Sequence, residues 1–162
     1  LRDFFHRKYR NLSQITAHFS FSILILSILF NNIFSSEVIT NLKINETYQA
    51  QNLKINFESI EQENKQNFKA IRGKFIVEDQ SGLIEVMQPE LRIYNQPNIV
   101  TSEADIKTNI FTDKFMTMNY VQNQDYFNIR YQVKPFMIWI WISTILLCFS
   151  GCLSLIRRKY EN

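Results

Sequence analysis

The chain has 162 residues, which is enough for one modest domain with accessory segments, and 46% of them are hydrophobic. The formal net charge of +3 comes from basic residues gathered near the two ends of the chain. A nucleic-acid-binding protein needs a basic face with aromatic or groove-reading elements, so we exclude nucleic acid as a partner.

The first predicted elements are a basic segment, residues 1–11, and a transmembrane helix, residues 12–34. The basic segment contains Arg2, Arg7, Lys8 and Arg10, and we interpret His6 among them as solvated or facing lipid headgroups. The next 23 residues carry no Asp, Glu, Lys or Arg and would extend about 34 Å as a helix, which is enough to cross a bilayer. A signal peptide is the alternative, although its apolar core usually has only about 7–15 residues.

One polar stripe marks this first helix. Gln14, His18 and Ser22 are spaced four residues apart and therefore project from one helical face. A polar stripe on an otherwise apolar span should face protein or a cavity, so we expect further helices to pack there. The spacing leaves three roles open for His18: a hydrogen-bonded packing residue, a haem or metal ligand, or a proton relay. Neutral imidazole is a common axial ligand of haem.

Residues 35–135 are predicted to form a small, mostly antiparallel β-domain, either a barrel or a sandwich. Alternating apolar and polar residues predict strands at "LKINFESI", "ELRIY", "FMTMNYV" and "YFNIRYQV", and a hairpin in "GKFIVEDQSGLIEV" with its turn near residues 79–82. The stretch "TSEADIKTNI" suggests a short helical turn. This region has no Cys, no nucleophile elbow and no phosphate loop, so we find no self-contained active site in it. Asn45 begins a glycosylation sequon that matters only in a secretory protein.

A second uncharged run, residues 136–156, predicts another transmembrane helix, followed by a basic tail, residues 157–162. Trp139 and Trp141 lie at its start, as expected for indoles at an outer membrane interface. Because both basic segments lie at the chain ends, the positive-inside rule predicts both termini in the matrix or cytoplasm. Residues 35–135 would then lie in the intermembrane space or periplasm.

The second helix also carries two cysteines. Cys148 and Cys152 are four residues apart, a spacing on one helix that is poorly suited to a disulfide. Together with Thr144 and Gly151 they form a small-residue face, which we interpret as a surface that lets another helix approach closely.

Three sequence blocks resemble the CcmF family of cytochrome c biogenesis proteins. "AHFSFSILIL" resembles the start of a late transmembrane helix of that family, and "MQPELRIYNQPNIVTSEADIKTNIFTDKF" resembles its exported segment. "KPFMIWIWISTILLCFSGCLSL" followed by "RRKY" resembles its terminal helix. The order and spacing of the blocks match as well, from Ala17 onwards. The chain is therefore similar to the C-terminal part of the family.

The resemblance implies a function in cytochrome c maturation. Members of the family are subunits of the haem lyase, which takes haem from a carrier protein and attaches it to apocytochrome c. The family protein also holds a haem b in the membrane. The match implies that His18 is one axial ligand of that haem b, with Gln14 and Ser22 supporting it. It implies structural roles for the exported residues Arg92, Tyr94, Glu103 and Thr112. The implied location is the mitochondrial or bacterial inner membrane, and the implied partners are membrane lipid and other CcmF segments or maturation subunits.

The sequence also departs from the family pattern. Phe19 follows the histidine where the family has glycine, and the tryptophan-rich haem-handling loop and the other functional histidines of the family are absent. We therefore expect no catalysis by the isolated chain. A start at Leu1 fits a processed product, a fragment, half of a split gene or an unusual start codon. A structural subunit of a larger inner-membrane respiratory complex is the alternative function, and a two-span adaptor whose β-domain binds an exported partner is a third.

Overall fold

The structure, a computed structural model, describes residues 2–50, 53–79, 82–121 and 124–161, and side chains within the range 12–155. His6 and the basic clusters at the two chain ends have side chains outside this description. The described elements comprise two long helices with ten strands between them: α1 (Arg2–Phe34), β1 (Ser36–Leu42), β2 (Thr47–Ala50), β3 (Leu53–Asn64), β4 (Phe68–Asp79), β5 (Ile84–Met87), β6 (Glu90–Tyr94), β7 (Val100–Glu103), β8 (Asp105–Thr108), β9 (Thr112–Tyr120), β10 (Phe127–Pro135) and α2 (Met137–Glu161).

The strands form two sheets. One has the strand order β1-β10-β9-β8, and the other has the order β2-β3-β4-β6-β7 with β5 paired to β4. Each pairing whose register is described is antiparallel. The predicted fold class, two apolar helices flanking a mostly antiparallel β-domain, is confirmed, and the β-domain is a sandwich.

The core of the sandwich is apolar and closely packed, as expected for alternating strands whose inner faces meet. Phe57 and Phe75 are completely buried and stack with ring centroids 4.3 Å apart. Gly73 lets the two sheets approach, because a Cβ at this position would lie 2.6 Å from the Phe75 ring and 2.9 Å from the Met118 sulfur. The other buried apolar side chains are Leu42, Ile55, Val77, Met87, Leu91, Met116, Ile129 and Tyr131.

One prediction about the β-domain is wrong. The segment "TSEADIKTNI" contains strands β7 and β8 instead of a helical turn. β7 pairs with β6 from Val100 to Glu103, and the Asp105 carboxylate accepts a hydrogen bond of 2.7 Å from the backbone N–H of Gln88. These non-local bonds satisfy the polar groups that a local helical turn would otherwise have paired. The short strands β1 and β2 were not predicted.

The helices form a second compact unit together with residues 109–113. Residues 12–34 and 137–155 are long and apolar enough to cross a membrane, and only 17% and 11% of their most apolar windows are buried. A core helix of a water-soluble domain would be mostly buried, so these values favour membrane spans.

Serines line the contact between α1 and α2. Ser13, Ser20 and Ser27 recur every seven residues on α1, as do Ser143 and Ser150 on α2, and all five are buried. The Ser13 hydroxyl donates to the Ser150 carbonyl at 3.1 Å, and the Ser150 hydroxyl donates back to the Ser13 carbonyl at 2.9 Å. At the other end, the Asn31 amide donates to the Pro135 carbonyl at 2.7 Å. These pairs make the helices antiparallel, with small side chains allowing close approach as in membrane helix pairs.

Candidate functional site

The candidate site on the helices is the surface of α1 that carries Gln14, His18 and Ser22. All three residues are exposed, whereas the serine contact face of the same helix is buried. His18 is two residues from Ser20, which places it roughly 160° around the helix from that contact face. The polar stripe is therefore directed away from α2, and we call this surface the histidine face.

The imidazole of His18 has no hydrogen-bond partner among the described residues. The Ser22 hydroxyl donates to the backbone carbonyl of His18 at 2.8 Å, so it satisfies itself on its own helix. The apolar side chains of Ile15 and Phe19 beside the stripe are 65% and 61% exposed. A histidine that packed α1 against α2 would be buried between them, so this structure provides no support for that role within the chain.

His18 is also isolated from other metal-binding side chains. Over the described part of the chain, no group of three or more His, Cys, Asp or Glu could hold a metal ion. Cys148 and Cys152 are free and exposed, and the Thr144 and Gly151 beside them are exposed as well. This small-residue face of α2 is separate from its contact with α1, so its use by another helix remains a prediction.

A second group of polar residues lies on the sheet that contains β4, β6 and β7. Glu90 is 8% exposed, and its carboxylate accepts hydrogen bonds from Arg92 at 2.8 Å and Arg72 at 3.0 Å. The antiparallel register places Arg72 directly opposite Glu90, and Glu103 opposite Glu90 on the other side. Arg92 Nη1 lies 3.6 Å from the Glu103 carboxylate. One buried carboxylate therefore holds two half-exposed guanidinium groups.

The hydrogen bonds of this network shift the pKa values of Glu90 and Arg92. The hydrogen bond from Arg92 lowers the pKa of Glu90, burial opposes this, and the hydrogen bond from Arg72 lowers it further. The same bond to Glu90, with a second one to Tyr94, raises the pKa of Arg92. The Arg92 guanidinium lies 5.2 Å above the Phe68 ring, which packs on Tyr94 with centroids 5.3 Å apart. The structure thus brings Arg92, Tyr94 and Glu103 into one structural cluster.

Sequence reasoning missed Glu90 and Arg72, the centre of this cluster. They are 18 residues apart and meet only through the β4–β6 register. The signal available was weak, since Glu90 is an acidic residue at the inward-facing start of "ELRIY".

A third charged group joins the two sheets. Lys114 on β9 is 9% exposed, and its ammonium lies 2.7 Å from Glu85 and 3.3 Å from Asp79 of the opposite sheet. Burial works against the charge of Lys114, but the hydrogen bond to Glu85 and the nearby Tyr131 and Asp79 leave its pKa raised. Burial also raises the pKa of Tyr131. The ion group fastens the β4–β5 hairpin to the opposing sheet, which is a structural role.

The fold defines a class: a β-sandwich flanked by two helices that are long and apolar enough to span a membrane, with no metal-binding cluster among its described residues. Within that class, the model of the CcmF C-terminal beta-sandwich family matches residues 33–135, which is more than half of the chain. The chain belongs to the CcmF family and corresponds to its C-terminal part.

Individual relatives agree with this assignment. The cytochrome c-type biogenesis protein ccl1 of Rhodobacter capsulatus is 31% identical over 74% of the chain and 18% of its own length. CcmF of Haemophilus influenzae is 23% identical over 99% of the chain and 26% of its own length. CcmF of Escherichia coli is 22% identical over 92% of the chain and 23% of its own length. The chain thus spans only about a fifth to a quarter of these relatives.

A solved structure gives the same fold. The chain superposes on the cytochrome c heme lyase CcmF with a TM-score of 0.69, at 16% identity, over 92% of the chain and 25% of that protein. At this identity the likeness establishes the fold.

Proposed function

We propose that the chain is the C-terminal part of a cytochrome c haem lyase, in which His18 is one axial ligand of a haem b within the membrane. Family membership supports a role in cytochrome c biogenesis, and the solved relative is itself named a heme lyase. The assembly supports the covalent attachment of haem to apocytochrome c. Its partners are the remaining CcmF segments or other maturation subunits, the haem carrier protein and apocytochrome c.

The observation that carries this proposal is the imidazole of His18, which is exposed on the side of α1 away from α2 and has no partner in the described part of the chain. An imidazole without an internal partner in an apolar span is expected to find one on another helix or on a cofactor. Haem fits these surroundings, because it needs one neutral nitrogen ligand and an apolar wall, and Ile15 supplies apolar surface beside His18. Bound there, haem b would supply one-electron redox chemistry.

The chain does not complete such a site alone. No second imidazole and no ligand cluster lies beside His18 in the described residues. We propose that the second axial ligand comes from another helix or another chain. This is why we do not assign catalysis to the isolated chain.

The membrane arrangement follows from the spans and the charges at the chain ends. α1 and α2 cross the inner membrane of a mitochondrion or bacterium, with both termini in the matrix or cytoplasm. The β-sandwich lies on the opposite side, where apocytochrome c is processed in this proposal. Gln14 and Ser22 line the histidine face with His18, and the cluster of Arg92, Tyr94 and Glu103 stabilises the sandwich.

The test is a reduced-minus-oxidised spectrum of the purified native assembly, comparing His18→Ala with the control Gln14→Ala. Both changes shorten an exposed polar side chain of the same stripe, so they differ mainly in the lost imidazole. We expect His18→Ala to remove or strongly diminish the b-type signal and Gln14→Ala to retain it. An unchanged b-type signal in His18→Ala assemblies would refute the ligand assignment.

A specific observation favours one alternative. Phe19 adjoins His18 where the family has glycine, and its 61% exposed ring occupies space that a glycine would leave free. Under this alternative the chain is a structural subunit of a larger inner-membrane complex without haem chemistry. Affinity purification separates the two, because the haem lyase proposal predicts maturation proteins and apocytochrome as partners. The alternative predicts respiratory subunits and no haem that depends on His18.

A further inference from the structure

The turn between β8 and β9 is tied to the start of α2 by its backbone. The N–H of Phe136 donates to the Phe111 carbonyl at 2.7 Å, and the Trp139 indole N–H donates to the Ile110 carbonyl at 2.9 Å. The Phe111 and Phe136 rings also meet edge to face, with centroids 6.3 Å apart. Residues 109–111, which we call the β8–β9 turn, accordingly belong to the same compact unit as the helices.

Hydrogen bonds pair several backbone groups of the β8–β9 turn. The Asn109 side-chain oxygen accepts the N–H groups of Phe111 and Thr112 at 2.9 and 2.8 Å, and the Asn109 N–H donates to the Thr112 carbonyl at 3.0 Å. Since the turn needs no water to satisfy these groups, it can enter a less polar environment at little cost.

The side chains of the turn also favour a less polar environment. Ile110 and Phe111 are large and apolar, yet they are 62% and 61% exposed, and no charged residue lies between Asn109 and Thr112. Two adjacent exposed apolar side chains on a hydrogen-bonded turn are unfavourable in water. They are favourable at the boundary between lipid headgroups and acyl chains, where apolar side chains of monotopic segments enter the membrane.

Trp139 fixes the depth of this turn relative to the membrane. An indole prefers the interface, with its ring in the apolar layer and its N–H directed towards polar groups. Trp139 lies in the first turn of the second span, and its N–H partner is Ile110 itself. The turn must therefore lie at the same depth as the interfacial indole.

We propose that the β8–β9 turn is a lipid-inserted anchor, in which Ile110 and Phe111 enter the leaflet on the side of the β-sandwich. The turn would hold the outer end of α2 at a fixed depth. This proposal rests on the membrane crossing of the helices and is independent of haem binding.

The test measures the collision of a spin label with oxygen, which partitions into lipid, and with a water-soluble nickel chelate. The full chain carries Cys148→Ser and Cys152→Ser and is reconstituted in vesicles of phosphatidylcholine with a minor fraction of phosphatidylglycerol. Labels are attached at Ile110→Cys or, if that variant folds poorly, at Phe111→Cys. Two isoleucines of similar exposure are the references: Ile145→Cys in α2, 66% exposed, and Ile84→Cys in β5, 63% exposed.

We expect a label on the turn to collide severalfold more with oxygen, relative to the nickel chelate, than the label at position 84, and to approach the label at position 145. Nickel-dominated collision like that at position 84 would overturn the proposal, because the turn would then lie in water. Protection from both reagents would also overturn it, because protein would then cover the turn. A water-accessible label at position 145 would remove the membrane span on which the proposal depends.

Discussion

The two compact units of this protein bury opposite kinds of side chain. The β-sandwich encloses rings, thioethers and aliphatic groups, with Phe57, Phe75 and Met118 fully buried. The helix pair encloses serines and exposes large apolar residues, including Ile145 and Leu155, which are 66% and 68% exposed. A domain that folds in water gains stability by burying apolar area, whereas lipid already provides an apolar solvent, so helices in it associate through small residues and hydrogen bonds. The same chain therefore follows two packing rules, each suited to its solvent.

The largest expected effect on the difference between the two units is at Phe75, in the core of the β-sandwich. Truncation by Phe75→Ala removes a fully buried ring that stacks on Phe57 and should lower the free energy of unfolding of the sandwich by about 3–5 kcal/mol. Urea unfolding in micelles, followed by the strand signal in circular dichroism, measures this loss. The matched control is Phe19→Ala, which truncates an exposed ring of the helical unit and should leave the transition of the sandwich unchanged. Equal effects of the two changes would contradict the contrast.

Glu90 tests whether the polar cluster stabilises the sandwich. Glu90→Gln removes the charge that holds Arg92 and Arg72, and should cost about 1–3 kcal/mol at neutral pH. Because the folded-state pKa of Glu90 lies below its ordinary value of 4.5, its contribution is present above pH 4.5 and is lost as the pH falls through the lowered value.

Urea midpoints should be measured from neutral pH down to below pH 4.5. The difference in midpoint between the native protein and Glu90→Gln should become smaller as the pH falls. The control is Glu78→Gln, whose exposed carboxylate lies 3.9 Å from Lys54 and should contribute little. A difference that stays constant with pH would exclude the charged form of Glu90 as the source of stability.

The two glycines with different surroundings give a smaller contrast. Gly73→Ala adds a methyl group that would overlap the Phe75 ring and the Met118 sulfur, so we expect a loss of about 1–3 kcal/mol. The same change at Gly151 meets nothing within 4 Å on α2 and should not destabilise the protein. Thermal melting of both variants makes the comparison, and a neutral Gly73→Ala would show that the sheets separate easily at that point.

The smallest expected effect lies in the helix pair. Ser13→Ala and Ser150→Ala each remove one hydroxyl that donates to a backbone carbonyl of the other helix. Each change should therefore weaken helix association by about 0.6 kcal/mol, typical of hydrogen bonds between membrane helices, and the double variant should show roughly the sum. Ser22→Ala is the control, because the Ser22 hydroxyl donates to the His18 carbonyl of its own helix and its loss should leave helix association unchanged. Energy transfer between labelled helix ends in vesicles measures the free energy of helix association for each variant.

The sequence predicted local features well and non-local ones poorly. Period-two alternation predicted the strand at "YFNIRYQV", and β10 covers residues 127–135. The buried Glu90 was missed because its partner Arg72 is fixed by strand register, which no local pattern encodes. The helical turn assigned to "TSEADIKTNI" failed for a related reason, since pairing with β6 and the Asp105 bond to Gln88 outweigh local preference.

In the helices, too, local features were predicted and the contact between elements was not. The uncharged runs predicted both candidate spans, and the stripe through His18 predicted a face that needs other partners. The contact between α1 and α2 was not predicted, because serines at a seven-residue spacing do not stand out in a hydrophobicity pattern. They become informative only when Ser13 and Ser150 are seen to exchange hydrogen bonds.

The most direct test of the central claim replaces the proposed ligand with a different one. In the native assembly with His18→Met, electron paramagnetic resonance of the ferric protein reports the axial ligands of haem b. We predict that haem is retained in part while the low-spin signal changes, because a thioether is a weaker ligand than imidazole. A low-spin signal identical to that of the unaltered assembly would show that His18 does not bind the iron.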